Sequence, residues 1–522
     1  MMGKSEKMSN ISTAVVYDHN TYPKTSPFDA SMFYPEFSSA LIANEENCIY
    51  SMVRQTFIDL EMDQVNVGTE SWSPFREIVN PGDTVVIKPN LVINTCDPDI
   101  QHCTTTHPSV IRPIIDYCWK ALKGYGKIIV GDCPGAEADF DKIVTCTGLD
   151  DMICKLQQRG IAVELKDFRA VRVVMENGIW VREQHNTKKA AEVQILDLGS
   201  ESLFADSRYN NVKFRGAGYD IKATNRYHHA SVHKYCVSKD IISADVVISV
   251  PKFKSHRKAG ITCCLKNLVG INADKNYLPH FALGSTNMGG DEMPEISGNR
   301  VFLLRLYNWF REFILAYSWK ILGKPAAALL RILHQKQTSK ADSASKNKKL
   351  LDKQSKDVDL ARFLHARIAQ CPVAAGAWPG NETICRMILD LNHIFLCCGK
   401  DGILRDITDR KIFYVADAVE IGMGNGPTHP TPLNGGLIAA GWNGFALDTA
   451  ILKLFGIDYH VIPLYQLAEK FDWIHYNGSG IQLLNGQLLT GPLETLPKLV
   501  APENWNYYPN TERGKSDESL PR

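Results

Sequence analysis

Apolar and polar positions alternate along the chain in stretches that mark out strands and helices in turn. Residues 13–17, TAVVY, form a short apolar run with strand character. Over 46–62, Ile49, Val53, Phe57 and Leu60 recur at helical spacing. After the turn Pro81-Gly82-Asp83 comes TVVIKPNLVI, a buried strand ending near Lys88-Pro89-Asn90. A helix is predicted over 107–123, opened by His107-Pro108 and closed near Gly124. KIIVGD at 127–132 is the next strand, followed by the turn Cys133-Pro134-Gly135-Ala136, a helix over 141–159 and a strand over 161–165. Such alternation predicts a parallel sheet covered by helices. Residues 166–235 mix short strands and polar loops without a readable topology. ADVVISVPKFK at 244–254 returns as a strand, and 257–300, rich in Gly, Asn and Asp, reads as a long functional loop. From 383 a second α/β stretch follows, with a helix over 383–391, strands IFLCC and KIFYVADAVEIG, and helices over 445–455 and 463–470.

At roughly 150 residues per domain, 522 residues suit two to four domains. The expected fold is α/β: two lobes with mostly parallel sheets flanked by helices, a ligand cleft between them, and an inserted apolar helix with a basic linker. The expected segments are 1–80, a strand and helix joining the first lobe; 81–300, the first lobe; 301–360, the insertion; 361–500, the second lobe; and 501–522, a polar tail. In the insertion, residues 301–322 hold 16 apolar or aromatic residues of 22, and 335–359 are lysine-rich. Across 301–360, 12 Lys or Arg stand against 5 Asp or Glu. A helix packed on the core is the favoured reading, because apolar residues surround most of its circumference. An interfacial helix on an anionic membrane is the alternative, since Trp, Arg and Lys suit that boundary.

Composition narrows the function. A formal net charge of +1 excludes an overall polyanion-binding surface, so no nucleic-acid partner is expected. The first residues show no apolar h-region, and the 301–322 stretch, interrupted by Arg305, Arg311, Glu312 and Lys320, has no charge-free run near the ~18 residues of a spanning helix. Fourteen cysteines without any C-x-x-C pair exclude a ferredoxin-type iron–sulfur site. They read as reduced thiols of a cytoplasmic protein, peripheral at most at the inner membrane face. The adjacent pairs Cys263–Cys264 and Cys397–Cys398 are poor chelates, because neighbours on a strand point to opposite faces. Walker A, G-x-G-x-x-G, G-x-S-x-G and kinase signatures are absent, which removes most support for ATP, NAD and serine-hydrolase chemistry.

The strongest chemical signal is PKFKSHRKAGITCCLKNLVG, residues 251–270, placed after a buried strand where α/β sheets bind ligands. Lys252, Lys254 and His256 alternate, so an extended segment presents them on one face to a carboxylate or phosphate. Lys88, Asn90, Asn267, Asn425 and Gly426 join Lys252 and Lys254 as candidate substrate-binding residues. Lys266, His107 and His256 are the catalytic candidates, a desolvated lysine being able to serve as a base near neutrality. Asp132, His229, His233 and Asp291 are the candidate ligands for a divalent metal, although structural or substrate-contacting histidines are the favoured reading. His229 and His233 would share one face if their segment were helical. A solvated basic loop is the bland alternative for the lysines. The helix start after Thr104–Thr106 is a candidate anion seat, with simple capping as its bland alternative.

At these residues the chain resembles the domain of unknown function 362 family. The blocks that carry the resemblance are PGDTVVIKPNLV, THPSVIRPIID, KIIVGDCPG, ADVVISVPKFKSH, ITCCLKNLVG and MGNGPTHPTPLNGGLIAAGWNGFALDT, in the family's order over about residues 80–456. KNLVGINADKNYLPH, GGDEMP and WPGNETICRMILDLNHI resemble a subgroup associated with bacterial surface-polysaccharide gene neighbourhoods. Some family members carry ferredoxin-type cysteines, which this chain lacks. The order of elements is distantly similar to nickel-pincer lactate racemases, which implies an interdomain cleft and proton-transfer chemistry. The expectation is an enzyme acting on an anionic small molecule, with a non-catalytic membrane-surface assembly protein as the alternative.

Overall fold

The computed structural model describes residues 10–37, 41–92, 95–176, 179–184, 192–216, 221–317, 369–371, 373, 375–427 and 430–509. The lysine-rich segment 335–359 lies outside the described residues. Eleven strands form the main sheet: β1 (Ile11–Tyr17), β2 (Thr84–Pro89), β3 (Lys127–Asp132), β4 (Val163–Asp167), β5 (Val246–Val250), β6 (Lys252–His256), β7 (Gly260–Thr262), β8 (Lys411–Met423), β9 (Thr431–Gly441), β10 (Ile481–Leu484) and β11 (Gln487–Leu488). Their order is β11-β10-β1-β9-β8-β5-β2-β3-β4, with β6 pairing both β7 and β8. The run β8-β5-β2-β3-β4 is parallel, whereas β1-β9-β8 is antiparallel. The α/β class with a mostly parallel sheet is as expected. The two α/β stretches of sequence meet inside this one sheet, because β5 from the first pairs directly with β8 from the second.

Both faces of the parallel strands are covered, which is why they read as unbroken apolar runs. Val85 and Ile87 of β2 pack on one face with residues of α1 (Cys48–Asp59) and α3 (Pro108–Leu122), and Val86 packs on the other. His107 caps α3, its side chain accepting from Ser109 N, and Pro108 occupies the first turn, where no N–H is needed. The helix predicted over 141–159 is broken at Gly148, whose φ of 73° separates α4 (Phe140–Thr147) from α5 (Leu149–Gln158). The short α6 (Lys239–Ser243) then leads into β5, burying Ile241 and Ile242 on the face opposite α3. The chain thus runs β2, β3, β4 outward on one side of β2 and returns to β5 on its other side. In open α/β sheets such a reversal marks the crevice where ligands bind, here off the carboxyl ends of β2 and β5.

Four expectations are corrected. IFLCC is not a strand: Asn381 caps a helix, labelled here α9 (Glu382–Cys397) once α7 (Cys264–Asn267) and α8 (Gly298–Tyr317) are counted, and the apolar run forms its last turns. A short apolar run alone does not separate the two periods. His229 and His233 do not share a helical face, because His228–His229 pairs antiparallel with the strand Val232–Ser238. Cys96 and Cys146 are disulfide-bonded with Cα atoms 5.0 Å apart, tying the approach to α2 (Pro98–Thr104) to α4, so the cysteines are not all free thiols. A separation of 50 residues carries no pairing signal in the sequence. Lastly, α8 is not wrapped by the core: Leu304 is buried, but Phe302, Leu303, Leu306 and Trp309 are exposed. Among the described residues no helix is long and apolar enough to cross a membrane. Helices α10 (Gly444–Leu454) and α11 (Pro463–Ala468) fall where the spacing predicts them.

Candidate functional site

The crevice floor is built from strand ends. Parallel register sets Ser249 of β5 opposite Lys88 of β2. Lys88 is fully buried, and its Nζ lies 2.7 Å from Asp132 Oδ1 at the end of β3. The Lys88 ammonium also donates to Asn267 Oδ1 at 3.0 Å and Pro89 O at 3.1 Å. Asp132 accepts from Leu91 N at 2.8 Å and Cys133 N at 2.9 Å. Asn267 joins the two strands: its Nδ2 donates to Ser249 Oγ at 3.0 Å and Lys88 O at 3.3 Å, while Oδ1 accepts from Asn90 Nδ2 at 3.3 Å. Gly270 closes over the ion pair, where a Cβ would stand 2.3 Å from Asp132 Oδ1 and 2.6 Å from Lys88 Nζ, so only glycine allows this approach.

Strand β6 extends across this floor. Lys252 and Lys254 lie on its same side, both buried, and the two charges act on each other. Lys254 Nζ donates to Asn90 Oδ1 at 2.7 Å and to Thr104 O. Burial, followed by the charges of Lys252 and Lys266, pushes its ammonium down to about 7. Lys252 belongs to a neighbouring cluster, with Nζ 3.1 Å from Asp417 Oδ1 and 2.5 Å from Tyr22 Oη. Tyr22 donates to the same Asp417 oxygen at 2.5 Å, and its ring stacks on His107 at 4.1 Å. The other Asp417 oxygen accepts from His107 N at 3.0 Å. The anion seat expected at the start of α3 is therefore filled by the chain's own Asp417. His107 is buried and depressed in pKa by burial, by His102 and by Lys252, and its Nδ1 accepts from Ser109 N.

Towards solvent stand Lys266, His256, Lys258 and His280, all half-buried. Lys266 makes no hydrogen bond or ion pair among the described residues. Burial, with the charges of Lys275 and Lys88, pushes its ammonium down to about 7. His256 Nδ1 accepts from Lys258 N at 3.2 Å and Ala259 N at 3.1 Å, which leaves the ring neutral with Nε2 as its donor. Burial, then Lys266 and Lys258, keep it neutral. His280 has the opposite tautomer, Nδ1 donating to Leu278 O at 2.9 Å, and burial holds its pKa at about 3. Beneath them Lys275 donates to Cys133 O, Asn272 O and Val269 O at 2.8, 3.1 and 3.4 Å.

Several predicted residues fall elsewhere. Asn425 accepts from Glu503 N at 3.0 Å, and Gly426 packs on Ser255, which points away from Lys254 and His256 on the alternating strand. Asp291 is spent on backbone, accepting from Ala282 N and Thr383 N at 2.6 and 2.7 Å. His229 is exposed and His233 is buried with Nε2 on Ala230 O. Asp132, His229, His233 and Asp291 form no ligand set: among the described residues the one group of metal-ligating type is Cys263, Cys264 and Asp448. These two cysteines sit at the start of α7 rather than on a strand, so their sulfurs come together. Asp448 already accepts from Cys264 N, Leu265 N and Tyr465 Oη, which accounts for it structurally. Arg112 pairs with Asp29 beneath a small cavity lined also by Tyr34 and Asp116, remote in chemistry from the lysines. Tyr22, Asp417 and Lys275 escaped the sequence reading. Asp417 left a signal there, a carboxylate in the middle of the apolar strand FYVADAV.

Two overlapping matches to a protein-family profile, described as Domain of unknown function (DUF362), cover residues 85–196 and 169–453. The chain belongs to the DUF362 family. Every strand-end residue of the crevice floor falls inside the DUF362 match, whereas Tyr22 lies before it. No curated protein matches the chain. Among solved structures, a protein from Thermotoga maritima is similar at 10% identity with a TM-score of 0.22, over 44% of this chain and 40% of that one. Likeness at that level carries no argument, so the reading of this DUF362 member rests on its own geometry.

Proposed function

We propose that the protein is an enzyme acting on an anionic small molecule, a carboxylated or phosphorylated sugar or a compound of that kind, by proton transfer at the crevice off β2 and β5. The observation that carries this is Lys266, a half-buried amine with no partner among the described residues and a pKa of about 7, set beside Lys254 of the same pKa. An amine near 7 exists at neutral pH in both forms, which suits a general base. Lys254, with Asn90 and Asn267, supplies the binding surface, while His256 offers a neutral donor. His107, tied to Ser109 and covered by Tyr22, serves as a positioning residue in this reading. Incubation in D2O with phosphorylated and carboxylated sugars, followed by NMR, is expected to show loss of one C–H signal for a member of the panel. Lys266→Met should slow that exchange by about 10²-fold or more. Exchange unaffected by Lys266→Met, or absent throughout the panel, would sink the proposal.

A second reading is favoured by α8, whose Phe302, Leu303, Leu306 and Trp309 stand exposed along one side. A non-catalytic protein of polysaccharide assembly could rest this face on an anionic membrane. Flotation with anionic liposomes is the check: weak binding that salt reduces is expected, and equal flotation with neutral lipid would refute the electrostatic part.

A further inference from the structure

We propose that the lysine crevice takes a phosphoryl dianion, so that the ligand class is a phosphate monoester rather than a simple carboxylate; this rests on the anionic-ligand reading above. Charge matching points there. Lys252 is matched by Asp417, and Lys88 by Asp132. The Asp132 oxygens are already taken up by Lys88, Leu91 N and Cys133 N. Lys254, Lys266 and Lys275 remain, and none forms an ion pair with a carboxylate among the described residues. Lys254 and Lys275 donate to an amide oxygen and to backbone carbonyls instead. A monoanion would offset one of three ammonium groups, a dianion two. Lysines suit this task as convergent point charges on a tetrahedral oxyanion, where arginine forks suit planar carboxylates. The histidines add mixed polarity: His256 offers an Nε2 donor, and His280, with Nδ1 committed to Leu278 O, offers an Nε2 acceptor suited to a ligand hydroxyl.

Binding would be linked to protons. Lys254, near 7 and facing Lys252, Lys266, Cys103 and Asp132, gains a proton around a dianion, while Lys266, among Lys88, Asp132, Lys258, Lys275, His256 and His280, stays in exchange between its two forms. Titration calorimetry of the whole chain at pH 8, in two buffers of different ionisation enthalpy, tests this with inorganic phosphate, glycerol 3-phosphate and acetate. Both phosphates should bind at least about tenfold more tightly than acetate, with net proton uptake, and Lys266→Gln should weaken them about tenfold. Lys266 has no partner to lose, so this variant should fold. Acetate binding as tightly as phosphate would overturn the phosphoryl assignment while leaving the anion site standing. Inorganic phosphate binding without the monoester would overturn the monoester claim. Phosphate binding untouched by both Lys266→Gln and Lys254→Met would place the ion elsewhere and overturn the proposal. Binding of none of the three would remove the anionic-ligand reading as well.

Discussion

Asp132→Ala is expected to destabilise the protein by about 3–5 kcal/mol, the range for breaking a buried ion pair from one side. Lys88 would keep its charge in a fully buried position with its counter-charge gone. Leu91 N and Cys133 N would lose their acceptor together with it, each such loss costing about 1–3 kcal/mol in isolation, though not additively. Asp132→Asn should cost less, since one oxygen remains to accept. The double variant Lys88→Met with Asp132→Ala should recover part of the loss, because the stranded ammonium is removed too. Urea unfolding measures all three. A loss below about 1 kcal/mol for Asp132→Ala would mean that water reaches Lys88 and that the pair is not the keystone of the floor.

Stability is also expected to rise between pH 7 and pH 9. The cause is Lys254, whose ammonium falls from its ordinary 10.5 to about 7 in the folded protein, burial being the largest cause. Within that window the unfolded chain binds more protons at this site than the folded one, so raising the pH favours folding. The contribution is fully present above 10.5 and is lost as pH falls through 7. Lys266 acts in the same direction, with less weight because it is partly exposed to solvent. Above about 9 the buried thiols reverse the trend, since burial raises Cys133, Cys263 and Cys385 and the unfolded chain loses those protons first. Urea unfolding at pH 7, 8 and 9 should show the rise, and Lys254→Met should flatten it. An unchanged slope in the variant would assign the proton linkage to other groups.

The parts of this site that could be read in the sequence are those set by local periodicity. Lys252 and Lys254 follow from strand alternation, and Lys88 and Asp132 from their places at the ends of apolar runs. His107 was legible through the Pro108 that follows it at the head of a helix. What escaped depends on long-range placement. Tyr22 lies in a polar, proline-bearing segment without periodicity, yet meets Asp417 across 395 positions of chain. Asn425 was misplaced because glycine-rich loops carry no facing signal, and the side of β6 on which this loop rests is decided by tertiary packing. The single shared sheet was hidden for a related reason: parallel strands are joined through long crossovers, so neighbours in the sheet need not be neighbours in sequence.

The position of β1 has a consequence for how the molecule comes into being. This strand lies between β9 and β10, antiparallel to one and parallel to the other. Its backbone partners are made hundreds of residues after it: Val15 pairs with Ala439, and Ile11 pairs with Ile481. As the chain emerges, β2, β3 and β4 can assemble with their own helices, while the first strand waits with its edge bare. Tyr22, five residues past the end of β1, waits with it, because Asp417 and Lys252 must also be in place. Such closures of high contact order are slow and leave unpaired edges open to wrong partners. Completion of the Tyr22 cluster thus waits for Asp417, made 395 positions after Tyr22, and the Lys252 face of the crevice takes its final form only after that.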